Sequence, residues 1–105
     1  MIVRIISAPI RATAGFVEHV RARVGLALDR FAGRVDEVLV RLHDDNGPKK
    51  TGRASDKRCM IRAVVRGASP VLVRTRGGDF YEVADGAVHK LKRAVSHRID
   101  RSRRH

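Results

Sequence analysis

Lys90, Arg93 and His97 stand at i, i+3 and i+7, the spacing that lines side chains along one side of a helix. An ammonium, a guanidinium and an imidazole in such a row offer positive charge and several hydrogen-bond donors to a polyanion. Arg23 and Arg30 recur in an earlier helical stretch and are expected to face that row across a groove. The bland alternative is a solvated helix face. The chain's net charge of +12 favours phosphate binding over it.

Covalent chemistry has no comparable pattern. Asp44 and Asp45 are adjacent but lack a partnered histidine, and the five histidines show no Ser-His-acid order. No glycine-rich loop runs into Lys-Ser or Lys-Thr. The chain is therefore not read as an enzyme, and neither a cofactor nor a small-molecule substrate is implied. Cys59 is the only cysteine, which excludes an internal disulfide. His43 and Cys59 are expected to approach each other across a hairpin. Two ligands do not make a zinc site, so no metal is expected and Cys59 reads as a small buried hydrophobe.

The charge is unevenly spread. Residues 1–46 carry seven Lys/Arg against six acids, residues 47–78 nine against one, and residues 79–105 seven against four. A net of +8 in the middle third costs stability through self-repulsion, which favours a functional reading that includes Lys49 and Lys50. No apolar run approaches the ~18 residues of a membrane span. MIVRIISAPI is too short and too charged at Arg4 for a secretory segment. Neither helix carries the bulky apolar face of an interfacial anchor. A cytoplasmic protein without a membrane partner is expected.

The elements that must position these cations follow from periodicity. Residues 1–7 alternate around Ile and Val as a strand. Thr13 caps a helix to about Phe31 with Phe16, Val20, Val24, Ala27, Leu28 and Phe31 as its apolar stripe. Strands follow over 35–43, 58–66 and 71–76, with a long flexible hairpin loop at 44–57. Asp79 caps the last helix, and Glu82 stands where a capping box would place it. Its stripe is Phe80, Ala84, Ala87, Val88, Leu91, Val95 and Ile99. Tyr81, in its first turn, is expected to pack its ring on the sheet rather than stack on a base.

The fold class is thus α+β, in the order βαβββα. A right-handed crossover makes the first strand parallel to its neighbour, and hairpins make the others antiparallel. The result is a four-stranded mixed sheet with both helices packed on one face. The other face stays in water. Strand parity then displays Arg41, Arg62, Arg66 and Arg74 on that open face, with Arg4 beside them. Residues 1–99 form one domain, and 100–105 a basic, disordered tail in which the last helix frays. Aromatics make up only 4% of the chain, so the core should be Val, Leu, Ile and Ala.

The last helix also carries a family pattern. Asp79-Phe80-Tyr81, Ala84-Asp85 and Lys90-Leu91-Lys92-Arg93 resemble the final helix of the ribosome hibernation-promoting factors, or ribosome-associated inhibitor A proteins. Upstream, Thr13 opens a helix, Arg23 falls where that family usually has a lysine, and Phe31 precedes the strand RVDEVLVRLHD. The stretch 46–59 departs from the common members, as expected of a short divergent form. The resemblance implies a translation inhibitor that binds the small ribosomal subunit, in the decoding cleft, during stress or stationary phase. Basic residues at the positions of Arg23, Lys90 and Arg93 would hold its rRNA phosphates. His97 and Leu26 stand where the family is more often basic. The free protein is expected to be monomeric, because long members dimerise through a separate C-terminal domain. The alternative is a general module for structured or double-stranded RNA, since αβββα is also the order of double-stranded-RNA-binding domains.

Overall fold

The first helix is set by its cap. Thr13 is extended (φ −70°, ψ 157°), and its hydroxyl accepts from the Phe16 N–H at 3.1 Å, satisfying one of the donors that a helix start leaves free. The computed structural model describes residues 1–7, 12–45 and 56–103. The elements are β1 (Ile2–Ile6), α1 (Ala14–Ala27), β2 (Val35–Asp44), β3 (Lys57–Val65), β4 (Val71–Gly77) and α2 (Phe80–Arg103). The βαβββα order expected from the sequence is the order observed. The expected hairpin loop lies, over residues 46–55, outside the described residues.

α1 buries Phe16, Val20 and Val24, and Leu28 follows at the same four-residue spacing. It ends earlier than its periodicity suggests. After Ala27 the chain tightens into a 3₁₀ turn over Asp29–Phe31. Asp29 gives the reason: a carboxylate is unfavourable at a helix C-terminus, whose free carbonyls already carry partial negative charge. Arg30 consequently lies in the turn and not on α1.

The sheet order is β1-β2-β3-β4, with β1 parallel to β2 and the other pairs antiparallel. A register shift between Val35 and Glu37 lets Val35 turn inward with Val38, Val40 and Leu42 despite its wrong parity. From β3 come Cys59, Ile61, Ala63 and Val65, and from β4 Val71. α2 closes the core with Val83, Ala84, Ala87, Val88, Leu91, Val95 and Ile99. Both helices therefore cover one face, and Phe16 is the only aromatic among the buried residues described.

Strand β4 enters α2 through Gly77. A Cβ there would lie 2.9 Å from Val83 Cγ2, so the approach needs a glycine. The Asp79 carboxylate accepts from the Glu82 N–H at 3.0 Å, and the reciprocal bond of a capping box is not made. At its other end α2 runs to Arg103, four residues past Ile99, so the residues where fraying was expected are helical as far as 103. Ser102 helps, donating to the Ile99 carbonyl at 2.8 Å and accepting from Arg34 at 3.3 Å.

Two outcomes check this core. Leu91 is fully buried, so Leu91→Ala should lower the unfolding free energy in urea by about 2–5 kcal/mol. Cys59 is also buried, and burial pushes its thiol up to about 12 from the ordinary 9.0. Its contribution is intact below pH 9 and is lost as the unfolded thiol ionises first. Relative to Cys59→Ala, the native chain should lose about 1.4 kcal/mol by pH 10. Its thiol should resist disulfide reagents until denaturant is added.

Candidate nucleic-acid interface

Strand pairing arranges the open sheet face. Neighbouring strands give one row Arg4–Leu39–Arg62–Leu72 and the next Ile6–Arg41–Met60–Arg74. Arginines and aliphatic side chains therefore alternate in both directions. Arg41, Arg62 and Arg74 are exposed, and none has a carboxylate or carbonyl partner among the described residues. This outward arginine parity is what the sequence predicted.

The surrounding cations are less free. Arg4 lies 3.6 Å from Glu37, and Arg66 bonds Asp36 at 2.6 Å. Arg58 and Arg76 share Asp45, at 2.9 and 3.1 Å. Lys57 lies between Asp44 and Asp56, each at 3.2 Å, and over the Phe80 ring at 5.6 Å. Burial by itself would lower its pKa, but the two carboxylates outweigh burial and raise it above the ordinary lysine value. Lys57 thus clamps β3 to the start of α2. Lys49 and Lys50 lie outside the described residues.

On the helical side the geometry differs from the expected groove. The groove between the helices, of about 320 Å³, is lined by Arg23, Leu26, Ala27, Asp85, Val88, His89 and Lys92. Asp85 accepts from His19 at 2.8 Å and lies 3.6 Å from Arg23. Lys90 instead faces the β4 edge, donating to the Arg74 carbonyl at 3.0 Å. The cause is helical rotation: Lys92 follows Lys90 by about 200°, so the two cannot share a side. Arg93 and His97 are exposed, with no partner among the described residues. Arg30 stacks on Phe31 at 5.1 Å, outside the groove. Sequence reasoning passed over His89 as a groove residue, although its four-residue step from Asp85 was visible.

Two side chains sit elsewhere than expected. Tyr81 packs, but on α1 and not on the sheet, with ring centroids 4.9 Å from Phe16 and 5.0 Å from His19. Cys59 and His43 do not meet. Cys59 pairs with Leu42 in register and is buried, while His43 lies on the opposite parity, 3.3 Å from Asp45. Among the described residues no cluster of His, Cys, Asp or Glu could hold a metal ion, and no helix is long and apolar enough to cross a membrane.

Two α-helices on one face of a mixed four-stranded sheet, with uncompensated arginines on the other, define a small cationic α+β domain of the β-α-β-β-β-α type. Residues 3–103 match the family described as Sigma 54 modulation protein / S30EA ribosomal protein, and the chain belongs to that family. The resemblance carried by Asp79-Phe80-Tyr81 and Lys90-Leu91-Lys92-Arg93 is thereby confirmed. The fold is shared with a ribosomal subunit interface protein from Coxiella burnetii (TM-score 0.72, 14% identity, 92% of this chain and 96% of that one). It is shared equally with the N-terminal domain of Thermus thermophilus Protein Y (TM-score 0.71, 19% identity, 92% and 98%). No curated protein sequence matches significantly.

The Asp85 cluster gives a direct test of which cations are restrained. Its ion pairs are partly exposed and worth little, so Asp85→Asn should cost less than about 1 kcal/mol in urea unfolding. It should also free Arg23 and tighten binding to a duplex RNA at low salt. Unchanged affinity would place Arg23 outside the interface.

Proposed function

We propose that the chain binds the small ribosomal subunit through rRNA phosphates and restrains translation during stress or stationary phase. The observation that carries this reading is the match to a ribosomal-protein family over residues 3–103. One solved structure with this fold is that of a ribosomal subunit interface protein, which supports the same reading. The charge distribution supports the same class of partner. Among the described residues, exposed basic side chains without acidic partners stand on both outer surfaces, Arg41, Arg62 and Arg74 on the sheet and Arg93 and His97 on α2. A surface of this kind suits recognition by shape and phosphate. Stacking of bases needs rings, and no described Phe, Tyr or Trp lies on the open face, so readout of sequence is minor in this reading.

In this reading the domain acts as a rigid wedge in the decoding cleft, as a monomer in the cytoplasm, with Arg23, Lys90 and Arg93 on phosphates. Arg30, His97, Arg62, Arg66, Arg74, Lys49 and Lys50 extend the contact. No chemical step is required of it.

Co-sedimentation with purified small subunits tests the proposal. With six to ten phosphate contacts, affinity should fall roughly 10³–10⁵-fold between 50 and 200 mM salt, and a salt-insensitive interaction would refute it. Reversal at Lys90 and Arg93 should weaken binding more than reversal at Arg62 and Arg74, each lost contact reducing the salt slope by about one. Small, equal effects from both pairs would favour the general RNA-binding alternative. Light scattering of the free chain should give the monomer mass.

A further inference from the structure

We propose that the trough between the β3–β4 turn and the last turns of α2 is a phosphate site for RNA. It is lined by Gly67, Ala68, Ser69, Arg98, Arg101 and Ser102 and has a volume of about 620 Å³. Among the described residues no carboxylate lines it. The turn leaves β3 after Val65 and passes through Gly67, whose φ of +75° favours glycine.

The turn holds two guanidiniums in place. Arg98 Nη1 donates to the carbonyls of Ser69 and Pro70 at 2.8 and 2.9 Å. Arg34 donates to the Arg66 carbonyl through Nε and Nη2, at 3.2 and 2.9 Å, and reaches Ser102 Oγ at the rim. A guanidinium has five N–H donors, so each keeps donors for a ligand after these bonds. Arg101 is exposed and has no partner among the described residues. Donors fixed in advance lose little entropy when an anion arrives. The C-terminus of α2 opposes an anion with about half a charge, which three guanidiniums exceed.

The position identifies the ligand. Arg101 continues the row Lys90, Arg93, His97 at the next helical step, so the row runs about 16 Å along α2 into the trough. A phosphodiester chain following that row would reach Arg98 and Arg101 with successive phosphates, and an open trough admits a chain that continues. The assignment of RNA as the source of the phosphate rests on the RNA-binding reading above; the anion site itself does not.

The test is an NMR titration of the full ¹⁵N-labelled chain at constant ionic strength, first with inorganic phosphate and then with a short RNA hairpin. Phosphate should shift the Gly67 and Ser69 amides and the Arg98 and Arg101 Nε–H signals, saturably and together. Ser69→Glu, which sets a carboxylate among the guanidiniums while keeping the carbonyl that holds Arg98, should abolish those shifts. Arg101→Gln, at an exposed side chain, serves the same purpose should Ser69→Glu disturb the remaining spectrum. The hairpin should displace phosphate, and Arg101→Gln should lower its salt slope by about one. Shifts that persist in both variants, or that spread over all basic residues, would overturn the site. Saturable phosphate binding that the hairpin does not compete with would overturn RNA as its ligand. Displacement by the hairpin in a chain that fails to sediment with small subunits would sustain the site and remove only the ribosome.

Discussion

Burial of the α2 stripe against β3 and β4 is the interaction on which the other features depend. Val83, Ala84, Ala87, Val88, Leu91, Val95 and Ile99 are all buried, and their seating sets the helix's rotation about its axis. That rotation sends Lys90 to the β4 edge and Lys92 to the α1 groove, and leaves Arg93 and His97 outward. It also places Arg98 on the β3–β4 turn. A helix rotated by one residue would carry the same charges to different partners. The cationic surfaces are thus a consequence of apolar packing.

A second constraint is that 23 Lys and Arg residues must be seated with only 11 acids. Part of the excess is answered by the backbone. Arg21 donates to the Val3 carbonyl at 2.6 Å on the β1 edge, and Lys90 to Arg74 on the β4 edge. Both exposed sheet edges are thereby occupied by cations, a common protection against pairing with another chain. Arg34 and Arg98 do the same for the β3–β4 turn. Single carboxylates also serve several cations, as Asp45 does for Arg58 and Arg76. The +8 of the middle third is therefore less available than its count suggests. Among its described residues the accessible part is concentrated in Arg62 and Arg74, which the stiff sheet holds in register, beside Arg41 of β2, among aliphatic neighbours.

In the proposed reading, phosphate binding on this scaffold is a matter of placement. Among the described residues the open face has no aromatic ring to stack a base, and no cluster would hold a metal ion. Guanidiniums on strands and along one helix can follow phosphates at fixed spacing, a mode tolerant of RNA sequence and sensitive to RNA shape. It is also strongly dependent on salt, because each contact releases condensed counterions.

Much of this was readable in the chain because it depends on local period and parity. Alternation in 58–66 and 71–76 determined which arginines leave the core, and the 3.6-residue stripe with Asp79 determined α2. Family membership was likewise legible in Asp79-Phe80-Tyr81 and Lys90-Leu91-Lys92-Arg93. Pairing across distant segments was not. The shift at Val35, the sharing of Asp85 between His19 and Arg23, and the capture of Lys90 by the Arg74 carbonyl join residues remote in sequence. The early end of α1 was decided by Asp29 against a stripe that continued to Phe31. Periodicity reports which side of an element is apolar. The angle at which two elements meet, and hence which cation finds a partner and which stays free, is settled only when their side chains pack.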